Sequence, residues 1–360
     1  MTSSSIPVLP PRYIPDGSSG SGGFSDVFFC HDTHLQRKIA IKTIKDLTEL
    51  DRLKDEISAL MKLRSKHVVQ AFDIIENIDV SFAIVMEYID GCDLFDINFK
   101  SLNSLDLLKI LWQVASGITD IHSAGLIHRD IKPNNMKLDA EGILKIFDFG
   151  LARNIGREAR TVGFKGTIGF SAPEQFKIDE VSFTSAIDVY AFGATALYLA
   201  TQDLPKELKA KIPPLPLPDN AFNCELLNDY PQLIILFEKC LSTEPANRPT
   251  MKDVRDEISK YLLFDKHQAL AVINGVPHIL NFKARTAKLG LGKIGSFELY
   301  YDGFDFLLKN VLGEVYVNNR YVTEDIKIPG ACVVGIGARH RHYSERSFIT
   351  FDVSNPEVAL

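Results

Sequence analysis

The sequence has few cysteines, no long apolar run and no excess of basic residues. Its five cysteines are odd in number, far apart and never in a C-x-x-C pair, so neither a disulfide framework nor a zinc knuckle is predicted. No apolar run approaches the roughly 18 residues that a membrane span needs. The opening residues lack the basic and apolar blocks of a signal peptide, so we expect a cytoplasmic protein with reduced thiols.

The formal net charge of −6 also excludes function classes. General binders of nucleic acid or of anionic membranes need an excess of Lys and Arg, and we therefore expect neither kind of partner. What is present is ordinary globular composition: 46% of the 360 residues are hydrophobic and 24% are charged. That length predicts about two domains with buried cores.

The predicted elements change character twice along the chain. Residues 1–13 are rich in Ser and Pro and predict a tail. Short apolar runs, including residues 68–72 and 82–86, then predict strands, with one amphipathic helix where apolar residues recur at helical spacing from Leu53. The chain is mainly helical after Gly91, and after about residue 267 it returns to short β-rich runs between Gly, Asn and Pro.

A glycine-rich segment and a lysine beyond it predict a phosphate site. The segment Gly20-Ser21-Gly22-Gly23-Phe24-Ser25-Asp26-Val27 taken alone indicates no more than a hairpin. Lys42, however, ends an alternating strand, where burying a cation is costly unless an anion meets it. Phosphates under a glycine loop supply that anion. Glu56, at the edge of the buried face of the next helix, is expected to reach Lys42, with a solvated helix carboxylate as the alternative.

Two motifs carry the strongest signal, Ile127-His128-Arg129-Asp130-Ile131-Lys132-Pro133-Asn134-Asn135 and Asp148-Phe149-Gly150. Together with G-S-G-G-F-S-D-V, I-A-I-K and S-A-P-E, they stand in the order of the eukaryotic-type protein kinase family. The chain resembles that family over about residues 14–265. The resemblance implies an α+β fold with a β-rich N-lobe (14–90) and a helical C-lobe (91–265), followed by an all-β sandwich (267–360).

The resemblance also implies a role for each matched residue. Asp130 would orient the attacking hydroxyl, Lys132 would neutralise the γ-phosphate, and the Lys42–Glu56 pair would position ATP. Asn135 and Asp148 would hold Mg²⁺. The residues implied to contact ATP are Gly20, Ser21, Gly22, Gly23, Phe24, Ser25, Val27, Ala40, Lys42, Met86, Glu87 and Ile89.

Substrate class and regulation follow from the same resemblance. Lys132 and Thr167 match the serine/threonine pattern, so the expected acceptor is a Ser or Thr hydroxyl of a protein, with autophosphorylation included. Arg129 is expected to clamp a phosphate on the activation segment, and Thr161 is the expected acceptor there. Glu174 and Arg248 are expected to form a buried pair that supports the fold.

The last part of the chain resembles a forkhead-associated domain in its strands and turns, and this family usually binds phosphothreonine. Lys293 stands where the family has an arginine, Leu299 falls near its histidine, and Asn319 replaces a turn glycine, although Ser296 matches. We therefore leave two partners open, a phosphoprotein and an intramolecular docking surface. The run 339–342, Arg-His-Arg-His, is interpreted as an exposed loop of mixed charge, with a phosphate site or a pH switch as the alternatives.

Two other functions compete with an active protein kinase. A scaffold with a kinase fold and weak catalysis is disfavoured because Lys42, Asp130, Asn135 and Asp148 are all present. A small-molecule kinase is disfavoured because the chain carries S-A-P-E and D-V-Y-A-F-G, which resemble the supports of a peptide platform.

Overall fold

The computed structural model describes residues 9–21, 25–44, 50–76, 82–97, 102–154, 160–161, 166–176, 181–210, 212–354 and 356–358. The chain divides into two compact units, of which one ends at Ile258 and the other begins at Ser259.

The first unit opens with an antiparallel five-stranded sheet in the order β1-β2-β3-β5-β4. Its elements are β1 (Tyr13–Ser21), β2 (Ser25–Asp32), β3 (Arg37–Ile44), α1 (Leu50–Lys62), β4 (Ala71–Glu76) and β5 (Phe82–Glu87). Side chains alternate between the two faces of a strand, and Ile39 and Ile41 of β3 are fully buried on one face. Lys42 consequently lies on the opposite face, together with Ala40.

One strand begins later than the sequence predicts. The pattern of residues 68–72 predicts a strand, whereas β4 starts at Ala71. Val68 instead forms a parallel bridge with Ile146, and Val69 N donates to Ile146 O at 3.0 Å. Both valines are buried, so their apolar character reflects contact with residues far along the chain and not membership of the first sheet.

The rest of the first unit is mainly helical. Its helices are α2 (Ser104–Ser123), α3 (Ala186–Thr201), α4 (Lys206–Lys209), α5 (Pro231–Cys240) and α6 (Met251–Leu262), of which the last four residues belong to the second unit. Its short strands are β6 (Gly91–Asp93), β7 (Leu126–Ile127), β8 (Met136–Asp139), β9 (Leu144–Ile146), β10 (Arg153–Asn154), β11 (Arg160–Thr161) and β12 (Val181–Ser182). Asn103 caps α2 by accepting from Asp106 N, and α3 is buried along most of its length.

The second unit is built from strands around one core. Its strands are β13 (Ala269–Ile273), β14 (Val276–Leu280), β15 (Thr286–Leu291), β16 (Gly295–Tyr301), β17 (Phe306–Gly313), β18 (Val315–Val317), β19 (Arg320–Val322), β20 (Ile326–Lys327), β21 (Cys332–Ile336) and β22 (Ser347–Val353). They form a six-stranded sheet, β14-β13-β22-β21-β18-β19, and a four-stranded sheet, β15-β16-β17-β20. Residues of both sheets meet in one buried cluster that includes Leu299, Phe306 and Phe351.

The predicted fold class is confirmed: a kinase-type arrangement of a β-rich part and a helical part is followed by an all-β region. Within the described part of the chain, no helix has the length and apolar content needed to cross a bilayer.

Candidate active site

Lys42 lies at the centre of a charge cluster in the first unit. Its Nζ donates to both carboxylate oxygens of Glu56, at 2.8 and 2.7 Å, and to Asp148 Oδ1 at 3.0 Å. Strand β3 presents the lysine, α1 presents Glu56 with its residue 2% exposed, and Asp148 follows β9. Two residues predicted to pair from their spacing therefore do so, and the cluster adds the aspartate of the Asp-Phe-Gly motif.

Charge and burial oppose each other in this cluster. Burial alone would lower the pKa of Lys42, but the Glu56 and Asp148 carboxylates raise it above its usual value. Burial would likewise raise the pKa of Asp148, but the positive charge of Lys42 holds it below its usual value. Both groups are therefore charged at neutral pH, as phosphate and metal binding require.

Asp130 lies at the centre of a second cluster, in the segment that joins β7 to β8. Thr167 Oγ1 donates to Asp130 Oδ1 at 2.7 Å, and Lys132 Nζ donates both to Asp130 Oδ2 at 2.8 Å and to Thr167 Oγ1 at 2.7 Å. Asn135 Nδ2 donates to the Asp130 backbone oxygen at 2.8 Å and to Oδ2 at 3.0 Å. The Asp130 carboxylate is thus held in one orientation by three side chains.

Asp188, at the start of α3, fixes the backbone just before Asp130. Its fully buried carboxylate accepts from His128 N and from Arg129 N, both at 2.8 Å, and from His122 Nε2 at 3.0 Å. Burial would raise the pKa of Asp188, but the His122 hydrogen bond lowers it. These bonds hold Arg129 at a φ of 73°, a strained conformation for a residue with a side chain.

His128 supports the Asp-Phe-Gly turn. Its ring lies 4.7 Å from the Phe149 ring centroid, edge to face, and its Nε2 donates to Phe147 O at 3.2 Å. Phe149 is fully buried, and Asp148 has a φ of 63°. The turn therefore directs Phe149 into the core while the Asp148 carboxylate reaches Lys42.

A cleft of about 450 Å³ lies beside the Lys42 cluster. Predicted nucleotide contacts that line it are Gly20, Val27, Ala40, Lys42, Met86, Glu87 and Ile89. Val69, Asp93, Asn134 and Lys137 also line it and were not predicted. Ser21 ends β1 and Ser25 begins β2, while Gly22, Gly23 and Phe24 lie outside the described residues.

Comparison with known proteins identifies this arrangement. Residues 13–258 match the protein kinase domain family, which covers more than half of the chain. The chain belongs to the protein kinase family.

Three relatives illustrate its range of similarity. Over 199 residues it is 37% identical to serine/threonine-protein kinases drp72 of Corynebacterium efficiens, covering 52% of this chain and 38% of that protein. Over 279 residues it is 28% identical to mitogen-activated protein kinase kinase kinase YODA of Arabidopsis thaliana, covering 71% of this chain and 31% of that protein. Over 189 residues it is 36% identical to human myosin light chain kinase family member 4, covering 50% of this chain and 47% of that protein. The chain thus spans less than half the length of these relatives.

One ion pair of the kinase unit was missed from the sequence. Lys145 Nζ lies 2.8 Å from Glu87 Oε1, and Lys145 is only 7% exposed within β9. Glu87 also accepts from Gln70 N at 3.2 Å. This pair ties β5, which lies beside the cleft, to β9. The signal that could have found it is a lysine between Leu144 and Ile146 in an otherwise apolar strand, where a cation needs a partner.

The predicted regulatory residues are only partly described. The backbone of Thr161, in β11, pairs with that of Val181 in β12. Residues 155–159 and 162–165 lie outside the described part. The Arg129 guanidinium lies 5.0 Å from the Phe183 ring centroid. Thr167, in contrast, is fully placed in the Asp130 cluster.

The residues predicted to hold Mg²⁺ fit that ion. Within the described residues, no three His, Cys, Asp or Glu side chains converge to form a metal site. Mg²⁺ at a nucleotide site needs only one or two carboxylates, with waters and phosphates completing its shell. The Asp148 carboxylate supplies one such ligand. The Asn135 amide nitrogen is used on Asp130, which leaves the amide oxygen as the atom for a cation.

Proposed function

We propose that this chain is a protein kinase that transfers the γ-phosphoryl group of Mg·ATP to a Ser or Thr hydroxyl of a protein. The observation that carries the proposal is the Asp130 cluster, in which Lys132 and Thr167 hold the carboxylate in one orientation. Lys132 and Thr167 together match the serine/threonine pattern of the family.

The proposed reaction forms a bond between the substrate hydroxyl oxygen and the γ-phosphorus and breaks the bond from that phosphorus to the β-phosphate oxygen, so ADP leaves. Asp130 accepts or orients the hydroxyl proton, and Lys132 offsets charge on the transferring group. Little covalent help is needed, because positioning and charge neutralisation account for most of the rate in phosphoryl transfer.

Nucleotide binding is assigned to the first charge cluster. Lys42 binds the phosphates of ATP while Glu56 holds its amine in place. Asn135 and Asp148 would hold Mg²⁺, which would neutralise charge on the phosphates. Met86, Glu87 and Ile89 line the same cleft as Lys42, which supports an adenine site there.

We further propose that Arg129 clamps a phosphate on Thr161 after autophosphorylation, and that the second unit regulates the kinase or binds a phosphoprotein or another partner. The second unit takes no part in the chemical step, because both charge clusters lie before residue 250.

The test compares wild type with Asp130→Asn and, as a matched control, Asp229→Asn, which changes an exposed aspartate. Full-length protein is incubated with labelled ATP, Mg²⁺ and a generic Ser/Thr peptide. We expect Asp130→Asn to lower transfer by at least about 10³-fold, with nucleotide affinity and melting temperature unchanged, because the group acts mainly in the transition state.

Retention of more than a tenth of wild-type turnover by Asp130→Asn contradicts the catalytic assignment and favours a weakly active scaffold. Mass spectrometry of the same active samples tests the regulatory proposal. An unmodified Thr161 in fully active protein removes Thr161 as the switch.

A further inference from the structure

The outer face of the six-stranded sheet carries a trough with a glycine floor. Gly335 of β21 lies opposite Tyr316 of β18 on one side and opposite Phe348 of β22 on the other. Gly337 continues the same face two residues on, beyond the end of β21. The trough encloses about 190 Å³ and extends to Asn319 at one end.

The two aromatic residues form its walls. Neighbouring strands lie about 4.8 Å apart, so the backbones of Tyr316 and Phe348 are separated by roughly 10 Å across a strand that bears no side chain at Gly335. Phe348 is 44% exposed and Val333 is 42% exposed along the same face. Such exposed aromatic and aliphatic surface beside an open floor suits one apolar side chain of a partner.

Gly335 keeps the trough open although the fold does not require glycine there. A Cβ at this position would meet the Phe348 ring at 3.6 Å, which is ordinary van der Waals contact, and its φ is not in the left-handed region. Gly337 differs, because its φ is +99° and a Cβ would approach Glu345 O to 2.8 Å. Gly335 is therefore a position where side chains can be added to fill the trough without strain in the backbone.

The rim of the trough is positively charged. Of the three arginines in residues 339–346, only Arg341 forms an ion pair with a carboxylate among the residues that the structure describes, with Glu314 at 2.6 Å. That hydrogen bond holds the pKa of Glu314 at about 2. Arg339 and Arg346 both line the trough, and the Arg346 guanidinium lies 4.8 Å from the Phe348 ring centroid. Arg346 Nε already donates to Gly337 O at 3.3 Å, so the two terminal nitrogens of Arg346 and the Arg339 guanidinium are what the rim offers an anion.

We propose that this trough binds an extended peptide segment of a partner protein that carries an apolar side chain close to an oxyanion, either a carboxylate or a phosphate. Guanidinium groups bind both oxyanions through paired hydrogen bonds. The strand part of the floor runs from Val333 to Ile336, roughly 10 Å or about three extended residues, before Gly337, with a φ of 99°, turns the chain toward Arg339.

This inference rests on the proposed partner-binding role of the second unit and not on the kinase reaction. The trough also differs in location from the site that the forkhead-associated resemblance implies. Lys293 lies in the turn between β15 and β16, Ser296 is the second residue of β16, and neither lines the trough. Substitutions at Lys293 and at the trough therefore separate the two sites. Nucleic acid is disfavoured as the occupant, because the chain carries a net charge of −6 and the basic groups are confined to one rim.

The experiment measures binding of full-length protein to an array of fluorescent heptapeptides. Position 3 is Leu or Phe, position 5 is Asp, Glu, phosphoserine or Asn, and the other positions are randomised. Inorganic phosphate alone serves as a competitor. We expect peptides with an oxyanion at position 5 to bind at least about ten-fold more tightly than those with Asn, since hydrogen bonds to charged groups are worth that much. The carboxylate and phosphate arms identify which oxyanion is preferred.

Three variants locate the binding. Arg339→Gln and Arg346→Gln should each weaken oxyanion peptides by about 10- to 100-fold. Gly335→Val should weaken all peptides, including those with Asn, because it fills the apolar floor. Lys293→Gln is the matched control and should change nothing.

The proposal is overturned if no peptide binds, or if Lys293→Gln abolishes binding while the arginine variants do not. It is also overturned if inorganic phosphate displaces every peptide equally well, whichever residue stands at position 3.

Kinase turnover of a generic peptide is measured on the same samples. Inactive protein with intact peptide binding contradicts the catalytic proposal alone, whereas active protein without peptide binding contradicts the trough alone.

Discussion

The charged residues of the kinase unit and those of the trough are arranged differently. Lys42, Lys132 and Arg248 each lie within 3.0 Å of a carboxylate of the chain, whereas Arg339 and Arg346 line an open trough without such a partner among the described residues. In the kinase unit, charge is part of what holds the structure together. In the second unit, the strands hold the trough and its charges are left for a ligand.

The test with the largest expected effect is to break the buried ion pair between Arg248 and Glu174 in the first unit. Arg248 is bidentate with Glu174, at 2.7 and 2.9 Å, and its side chain is fully buried. Arg248→Ala leaves an uncompensated buried carboxylate, so we expect the free energy of unfolding of this unit to fall by about 3–5 kcal/mol. Denaturant unfolding followed by fluorescence gives the value.

The matched control is Arg341→Ala, which breaks the partly exposed pair with Glu314. We expect a much smaller loss, because surface ion pairs are screened by water and salt. Equal losses in the two variants would show that charge pairing supports both units alike, and the comparison would be wrong.

A second test concerns a buried group that the kinase unit keeps neutral. Burial lowers the pKa of His67 to about 4; its Nδ1 donates to Leu144 O at 3.2 Å and its ring packs edge-on against Trp112. The unfolded chain has the usual pKa of about 6.5, so it takes up the proton first as pH falls. The contribution of neutral His67 to the free energy of unfolding is therefore fully present above about pH 6.5. It is lost as the pH falls toward 4, and the loss amounts to about 3 kcal/mol.

The variant for this test is His67→Gln, which is neutral at every pH. Its free energy of unfolding should lie below that of wild type at pH 7, and the gap should narrow as the pH falls from 6.5 to 4.5. A gap that stays constant over this range would mean that His67 is not kept neutral by burial.

The two charge clusters were largely predictable from sequence because the residues that build them lie in short motifs. Asp130, Lys132 and Asn135 fall within six positions, so one segment places all three. Lys42 and Glu56 followed from strand alternation and helical spacing, since these periods decide which face a side chain takes. Family resemblance then supplied Thr167, which spacing alone would not have linked to Asp130.

Contacts between distant segments could not be predicted in this way. The Glu87–Lys145 pair joins two strands separated by 58 positions, and no local pattern links them. The trough likewise depends on β18, β21 and β22 lying side by side. The run 339–342 alone therefore could not show that Arg341 pairs with a carboxylate while Arg339 lies at the rim of the trough. The packing of distant segments decided both cases, because Glu87 and Lys145 lie in different sheets and Arg339 lies beyond the end of β21.

The last test asks how far the Lys42 cluster depends on its charge balance. Glu56→Gln keeps the size of the side chain but removes its charge, while Asp148 still accepts from Lys42 at 3.0 Å. We expect Lys42 to move toward Asp148 and to compete there with Mg²⁺, so kcat/KM for a generic peptide should fall by about 10- to 100-fold.

Glu225→Gln, at an exposed position, is the control. This loss should be smaller than that of Asp130→Asn, because one partner of Lys42 remains. Full turnover in Glu56→Gln would show that the pair is dispensable, and a loss as large as that of Asp130→Asn would show that Asp148 alone cannot hold the lysine.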